Sequence, residues 1–345
     1  GESSDPVLGF QNTRYHRKTA VNLAMPLPRI ENRLRKNPAK ERDQLLQGLL
    51  QPQARINPKY FYDDCGCEIF TRICELDEYY PTRTEEAVFQ AYASDIAQRL
   101  PEHAQWIDLG CGDCAKSRRW MEELAPRRLI GVDIAAEFLK LSLADVAAVH
   151  PRVECVGVVS DFTQQLDIAG LLAERPHCPP IFFYPGSSIG NFTRPDALQL
   201  LQAIRSHCGA DGRLLIGVDL VKARSVLEAA YDDTQGVTAE FNLNVLNVVN
   251  RELDGNFRLE DFRHQAVFDS RHSRIEMRLV ARNDLVVKLG NHRRAFQQGE
   301  HILTEYSHKY TPEGFSALLE EAGFNRPECW TDDRGWFGVF LAGPA

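Results

Sequence analysis

Two glycines that follow a largely apolar run, Gly110 and Gly112, constrain the fold of this chain more than any other feature. The run Trp106–Leu109 is typical of a buried strand, and a stretch compatible with a helix follows Cys114. Because glycine has no Cβ, a tight strand-to-helix turn built from it lets the backbone approach a nucleotide-like ligand. The stretch therefore predicts a ligand-binding turn at the carboxyl end of a strand.

Acidic residues follow the next two apolar runs. Leu129–Val132 leads into Asp133, about 20 residues after the glycines, and Val153–Val159 leads into Asp161 and Phe162. An acid at the tip of the second strand can accept hydrogen bonds from a ribose diol. An acid and an aromatic ring at the third strand can take the amino group and the ring of adenine. The pattern predicts a nucleoside-binding α/β domain.

Strand-like and helix-like stretches alternate through the middle of the chain, which is typical of βαβ units and a parallel sheet. Helices are predicted over residues 39–50, 84–100 and 195–207, with Thr84 as the N-cap of the second. Strands are predicted over residues 105–109, 129–133, 153–159, 181–184 and 213–218.

The pattern changes after the fifth of these strands. Residues 221–305 contain alternating stretches, of which 274–281 places apolar side chains on one face, and Asp254-Gly255 is a hairpin-type turn signal. This part indicates an antiparallel substrate lobe inserted into the α/β domain. Thr311-Pro312 then starts a helix that runs to Gly323, and residues 336–341 form a closing apolar strand.

Two ligand classes suit the glycine turn. Gly110, Gly112 and Ala115 formally satisfy the dinucleotide fingerprint, but Asp113 would place a negative charge beside a pyrophosphate. S-adenosylmethionine carries one nucleoside and no pyrophosphate, and a terminal helix with an antiparallel last strand suits methyltransferases. The residues favour S-adenosylmethionine. A nicotinamide-dependent protein and a non-catalytic S-adenosylmethionine-binding protein stay as alternatives.

Composition excludes some other classes. The chain has 345 residues, a net charge of −8 with dispersed lysines and arginines, and no apolar run of membrane-spanning length, so we expect neither a nucleic-acid partner nor a membrane span. The start of the chain lacks a signal-peptide pattern, which predicts a cytoplasmic protein. Nine cysteines, an odd number, predict free thiols. Cys111 and Cys114 have redox or zinc spacing but lie inside the glycine turn, and no His or Cys cluster elsewhere completes a set of four ligands, so no metal is predicted.

Seven stretches of the chain look like the signature sequences of one enzyme family. They occur in order from about residue 55 to the C-terminus: Lys59–Asp63, Glu78–Arg83, Gly186–Asn191, Tyr231–Asp233, Phe241–Asn242, Val248–Leu253 and Leu303–Lys309. The chain thereby resembles the L-histidine Nα-methyltransferases, which make trimethylhistidine (hercynine) in ergothioneine biosynthesis. The resemblance implies S-adenosylmethionine as cofactor. It implies cofactor contacts from Gly110, Lys116, Asp133, Asp161 and Phe162.

The resemblance also implies roles on the substrate side, with L-histidine as the small-molecule partner. Tyr79 and Tyr231 would hold the carboxylate. Asn191 would hold the α-amine with Tyr62 nearby, and these two are the predicted catalytic residues. The imidazole would lie among three further residues, with hydrogen bonds from Glu305 and Ser307 and a pocket wall from Met277. From the residues alone, Asn191 is more typical of a turn than of a ligand, and Met277 is more typical of a hydrophobic core.

The implied fold is a Rossmann-like class I methyltransferase sheet with an additional α+β substrate domain, in a chain expected to be a monomer. We expect a loose tail over residues 1–20, and the predicted substrate domain comprises residues 21–84 and 221–307. The methyltransferase domain comprises residues 85–220 and 308–345. One alternative is the same fold acting on another amino acid, such as a tryptophan derivative, whose apolar ring would leave Glu305 and Ser307 without a clear role.

Overall fold

The computed structural model describes residues 28–344. Its strands are β1 (Arg29–Asn32), β2 (Gln105–Leu109), β3 (Arg128–Asp133), β4 (Glu154–Val159), β5 (Pro180–Tyr184), β6 (Arg213–Asp219), β7 (Phe262–Asp269), β8 (Arg274–Ala281), β9 (Leu285–Leu289), β10 (His292–Phe296), β11 (His301–His308), β12 (Phe324–Thr331) and β13 (Phe337–Pro344). Its helices are α1 (Pro38–Leu50), α2 (Asp64–Cys74), α3 (Pro81–Ala97), α4 (Ala115–Leu124), α5 (Ala136–Val149), α6 (Ala169–Ala173), α7 (Arg194–Cys208), α8 (Arg224–Tyr231), α9 (Val237–Leu253) and α10 (Pro312–Glu321).

The main sheet has the strand order β1-β4-β3-β2-β5-β6-β13-β12. Strands β1 to β6 run parallel, whereas β13 runs antiparallel to both β6 and β12. The interior strands are buried along almost their whole length, which explains why they read as continuous apolar runs. This order confirms the predicted Rossmann-like α/β sheet with an antiparallel last strand. The carboxyl ends of β2 to β6 meet at one edge.

A second hydrophobic core lies beside that sheet. A three-stranded antiparallel sheet, β11-β8-β7, packs with helices α1, α2, α8 and α9 around side chains such as Phe61, Phe241, Met277 and Ile302. Strands β9 and β10 form a separate hairpin. The predicted strand over 274–281 coincides with β8. The additional α+β part of the fold is therefore present, and it supplies β11, which carries much of the candidate site.

The structure places one N-terminal segment differently from the sequence interpretation. Strand β1 lies within residues 21–84, which we had predicted as the first part of the substrate domain, yet it pairs with β4 at the edge of the main sheet. The division into two domains itself remains a prediction. The predicted tail over residues 1–20 lies outside the described residues. None of the helices in the described part of the chain is both long and apolar enough to cross a membrane.

Two local predictions were wrong. Helix α3 begins at Pro81 instead of after Thr84, because proline is preorganised for a first helical turn; the Thr84 hydroxyl donates a hydrogen bond to the Tyr80 carbonyl at 2.7 Å inside the helix. Asp254-Gly255 forms no hairpin turn. Asp254 takes a left-handed conformation with φ of 50° and ends α9, since an aspartate tolerates this conformation at a helix C-terminus.

Candidate functional site

The glycine turn lies between β2 and α4 at the carboxyl edge of the main sheet. Gly110 and Gly112 have φ values of 76° and 56°, a region that favours glycine. The amide of Gly112 donates to Asp133 Oδ2 at 2.8 Å, and the amide of Gly110 donates to the Val132 carbonyl at 2.9 Å. No atom outside the adjoining residues lies within 4 Å of where a Gly112 Cβ would stand. The turn therefore leaves an open cradle above β3.

The two strand-end acids flank this cradle. Asp133 Oδ1 accepts a hydrogen bond from the Ala135 amide at 3.0 Å, and each carboxylate oxygen keeps a further lone pair for a ligand. Asp161 Oδ1 accepts from the Thr163 amide at 3.1 Å and from the Thr163 hydroxyl at 2.5 Å, and Oδ2 has no partner among residues 28–344. Phe162 packs edge-on against Tyr184 with ring centroids 5.6 Å apart. This set of acceptors and one aromatic wall fits a nucleoside.

Ile134 is an apolar residue at this edge that the sequence analysis missed. It follows Asp133 directly, and its side chain is 51% exposed although it is large and hydrophobic. Exposed apolar surface beside a carboxylate suits the flat face of a base. The available signal was an isoleucine immediately after a strand-end acid.

The prediction that all nine cysteines are free thiols was wrong. Cys111 and Cys114 form a disulfide within the glycine turn, and the other seven cysteines are free. The tight turn brings the two Cα atoms to 4.9 Å, a separation that a disulfide can span, which a count of cysteines could not reveal. Within residues 28–344, Asp108, Cys111 and Cys114 bring three potential metal ligands within 4.8 Å, but both sulfurs are in the disulfide.

Lys116 reaches across the turn to a buried acid. Its Nζ donates to Glu85 Oε1 at 2.6 Å, and the Gly186 amide donates to Glu85 Oε2 at 2.7 Å. Glu85 is only 1% exposed, and a Cβ on Gly217 would stand 2.0 Å from its Oε2. Glycine at 217 therefore makes room for this carboxylate. Sequence analysis missed Glu85, although an acid on the buried face of α3 was the available signal.

On the substrate side, a cavity of about 420 Å³ lies between residues 44–60 and β11. Asn191 and Glu305 both line it, and Gln164 extends its wall towards the strand-end pair Asp161 and Phe162. The other lining residues are Gln44, Leu45, Gly48, Arg55, Ile56, Asn57, Pro58, Lys59, Tyr60, Leu303, Thr304 and Tyr306. The cavity thus contains Asn191, the predicted amine-binding residue, and Glu305, one of the predicted imidazole-binding residues.

Glu305 is a half-buried acid without a partner. Within the described residues 28–344, its carboxylate forms neither a hydrogen bond nor an ion pair. Loss of hydration raises the pKa of this carboxyl to about 7, partly offset by the charge of Lys309. An unpaired carboxyl on a cavity wall is suited to a ligand that brings its own donors.

Several predicted substrate residues meet beside Glu305. The Tyr231 hydroxyl and Ser307 Oγ are 2.9 Å apart, and the rings of Tyr79 and Tyr231 have centroids 6.1 Å apart. Met277 lies opposite Glu305 in the register of β8 and β11. Tyr62 is 46% exposed and lies further along the aromatic cluster, 5.8 Å from the ring of Phe70. The structure therefore gathers the predicted substrate residues around one region.

A buried ionic network adjoins this region. Lys309 Nζ donates to Asp219 Oδ2 at 2.7 Å and to the Tyr231 hydroxyl at 2.7 Å. Lys222 Nζ donates to Asp219 Oδ1 at 2.8 Å, and the Tyr80 hydroxyl donates to Asp219 Oδ2 at 2.6 Å. Lys309 and Tyr80 lie in two of the signature stretches, but no pattern in the sequence predicted a role for them, for Asp219 or for Lys222.

The opposite charges of this network shift one another's pKa values towards the ionised forms. Burial alone would raise the pKa of Asp219, but the two ammonium groups lower it below its ordinary value. Burial alone would lower the pKa of Lys309, but the Asp219 carboxylate raises it. For Lys222 burial prevails and lowers the pKa to about 8. At neutral pH the three groups carry one negative and two positive charges.

Comparison with known proteins decides the family. A family model described as histidine-specific, SAM-dependent methyltransferase matches residues 41–344. The chain belongs to this family. The match includes the glycine turn, the strand-end acids and β11. The chain is therefore an S-adenosylmethionine-dependent methyltransferase of the histidine-specific family.

Curated relatives agree with this membership. A histidine N-alpha-methyltransferase of Mycobacterium tuberculosis is 36% identical over 307 residues, which cover 87% of this chain and 94% of the relative. The protein of the same name from Mycolicibacterium smegmatis is 37% identical over 301 residues, covering 86% and 92%. Ergothioneine biosynthesis protein 1 of Neurospora crassa is 30% identical over 277 residues, covering 78% of this chain and 31% of the relative.

Proposed function

We propose that this enzyme methylates the α-amino group of L-histidine to Nα,Nα,Nα-trimethylhistidine, the first step of ergothioneine biosynthesis. The observation that carries the proposal is the unpaired carboxyl of Glu305 on the cavity wall that also holds Asn191. An imidazole brings two nitrogens that can donate or accept, so it can satisfy this carboxyl in either protonation state. The names of the bacterial relatives support the same substrate.

The proposed transfer of the methyl group from the cofactor requires no nucleophilic side chain of the protein. S-adenosylmethionine supplies a methyl group that its sulfonium already activates, so the chain has to align the reactants and exclude water. In our proposal Asp133 binds the ribose, Asp161 and Phe162 bind the adenine, and Gly110 lets the backbone approach. Lys116 lies in the same edge and would bind the carboxylate of the methionine part. No step in this scheme requires a metal ion.

The amine side requires a neutral, aligned nitrogen. Asn191 has an uncharged side chain that can both accept from and donate to an amine, so it can orient the amine through successive transfers. Loss of hydration raises the pKa of the Tyr62 phenol well above its ordinary value. In the proposal Tyr62 therefore stays protonated and does not remove the proton of the α-ammonium group, which is released to solvent before the neutral amine attacks the methyl group.

The remaining residues hold the rest of the amino acid. Glu305 and Ser307 are two residues apart on β11, so their side chains share one face, and each would address one imidazole nitrogen. Met277 would contact the flat side of the ring. Tyr79 and Tyr231 would bind the carboxylate. This arrangement leaves the α-amine pointing towards Asn191.

The experiment is mass spectrometry of L-histidine, L-tryptophan and L-phenylalanine after incubation with the enzyme and S-adenosylmethionine. We expect mass gains of up to three methyl groups on histidine, little product from the other two, and the same rate in the presence of a chelator. Asp145→Ala, an exposed change on α5, serves as the control variant. Equal turnover of all three amino acids, or none of histidine, would contradict the proposed substrate.

A further inference from the structure

Lys309 is a fully buried cation that touches two predicted substrate residues at once. We propose that Lys309 is a positioning residue that turns the Tyr231 hydroxyl into a donor for the carboxylate of the amino-acid substrate. The inference rests on the proposed function, because it assumes that an amino acid binds beside Tyr231.

The hydrogen-bond capacity of Lys309 is used completely. Its ammonium group has three donors and no acceptor. They go to Asp219 Oδ2 at 2.7 Å, to the Tyr231 hydroxyl at 2.7 Å and to Ser307 Oγ at 3.0 Å. Both hydroxyl oxygens must therefore accept a hydrogen bond from Lys309. Neither hydroxyl can direct its own proton at Lys309.

The protons of the Tyr231 and Ser307 hydroxyls must therefore be donated to acceptors other than Lys309. The Tyr231 and Ser307 oxygens are 2.9 Å apart, so one hydroxyl donates to the other and a single proton remains for a ligand. A phenol is the more acidic hydroxyl, and its hydrogen bond to a carboxylate is charge-assisted and strong. A bound carboxylate therefore selects the order Ser307 to Tyr231 to carboxylate. Ser307 keeps a lone pair that can accept from an imidazole N–H.

The surrounding charges favour the same orientation of the substrate. Asp219 balances only one of its two lysine partners, Lys222 and Lys309, so the network keeps a net positive charge near Tyr231. Glu305, two residues before Ser307 on β11, supplies the opposite charge when ionised. These opposite charges favour one orientation of an amino acid that has a negative carboxylate and a basic ring. The carboxylate lies towards Lys309 and the ring lies towards Glu305.

The experiment compares L-histidine with histamine, which lacks the carboxylate, by calorimetry in the presence of S-adenosylhomocysteine. We expect Lys309→Met to weaken histidine binding by about ten- to a hundredfold, the scale of one hydrogen bond to a charged group. Histamine binding should change by less than about threefold, because no hydrogen bond to a carboxylate is lost. Should Lys309→Met not fold, Lys309→Gln keeps a donor for Asp219 without the charge and serves the same comparison.

Lys222→Met is the matched control. Lys222 shares Asp219 and belongs to the same buried network, but it has no hydrogen bond to Tyr231 or Ser307. This variant removes one charge of the network but no hydrogen bond to Tyr231, so it should reduce stability and lower the ratio of histidine to histamine affinity much less than Lys309→Met does. Equal losses for both ligands in Lys309→Met, no loss for either, or the same selective loss in Lys222→Met would each overturn the inference. A wild-type enzyme that does not methylate histidine would instead contradict the proposed function.

Discussion

Glu85 on α3 and Lys116 on α4 form a hydrogen-bonded ion pair, with 2.6 Å between Glu85 Oε1 and Lys116 Nζ. Lys116 is the second residue of the helix that follows the glycine turn. Glu85 is almost fully buried, whereas the Lys116 side chain is 38% exposed. The second oxygen of Glu85 holds the Gly186 amide, so one carboxylate links the turn after β2 to the loop after β5. Lys116 is thereby held at the edge where the cofactor is proposed to bind.

Glu85→Gln tests this link. The amide keeps the shape of the side chain but loses the charge that orients Lys116, so we expect the affinity for S-adenosylhomocysteine to fall by about 1–2 kcal/mol. Calorimetry measures it directly. Glu86→Gln is the matched control, because Glu86 also pairs with a basic residue of α4, Arg119, but its side chain is 54% exposed. Equal affinity losses in the two variants would remove Glu85 from the cofactor site.

Asp133 should distinguish the two ligand classes that suit the glycine turn. Asp133→Ala removes the acceptor proposed for the ribose diol, so we expect S-adenosylhomocysteine binding to weaken by about 1.5–3 kcal/mol. The exposed Asp145→Ala should leave the affinity unchanged. Wild-type protein should bind NAD far more weakly, because Asp113 in the turn repels a pyrophosphate. Comparable calorimetric affinities for NAD and S-adenosylhomocysteine would contradict the assignment of the cofactor.

Glu305 should determine which amino acid is accepted. Glu305→Ala removes the partner proposed for the imidazole, so we expect a strong increase in the KM for histidine and a smaller preference for histidine over phenylalanine. S-adenosylhomocysteine affinity should stay the same, because Glu305 lies on β11 and not at a strand end of the main sheet. The exposed Glu320→Ala is the control. A Glu305→Ala enzyme with full histidine preference would remove Glu305 from the ring pocket.

The raised pKa of Glu305 also makes stability depend on pH. Its pKa is about 7 in the folded protein, mainly because of lost hydration, against 4.5 for an ordinary glutamate. The folded state therefore holds the proton more tightly, so the contribution of this group is fully present below pH 4.5 and is lost as the pH rises through about 7. Urea unfolding at pH 5 and pH 8 should show that Glu305→Gln gains stability relative to wild type at the higher pH. An unchanged difference would contradict the shift.

Much of the main sheet could be predicted because its strands are buried on both faces. Residues 105–109 coincide with β2, and the other four predicted parallel strands begin and end within one residue of the observed ones. The predicted closing strand over residues 336–341 is extended to Pro344 in β13. The acids at the ends of these strands could be predicted as one site, because parallel strands bring their carboxyl ends to the same edge of the sheet. Local sequence patterns gave a wrong prediction where the same residue type is common in two different kinds of local structure. Asp254 suits both a hairpin and a helix end.

The buried polar partners could not be predicted in this way. Glu85 meets Gly186 across 101 residues, and Asp219 meets Lys309 across 90 residues. Such pairs depend on tertiary packing, and no local period identifies them. The Cys111–Cys114 disulfide is a local exception, but the odd number of cysteines argued against it. The substrate residues could be named in advance only through the family resemblance.

The Asp219 network also has a consequence for the folding pathway. Tyr80 and Asp219 are 139 residues apart, and Tyr231 and Lys309 are 78 residues apart, so the network closes only after remote segments have met. Contacts of this separation form slowly, because the chain loses loop entropy before they stabilise it. In refolding experiments we expect methyl transfer to return later than far-ultraviolet circular dichroism. Simultaneous recovery would show that the network is already closed when the helices and strands form.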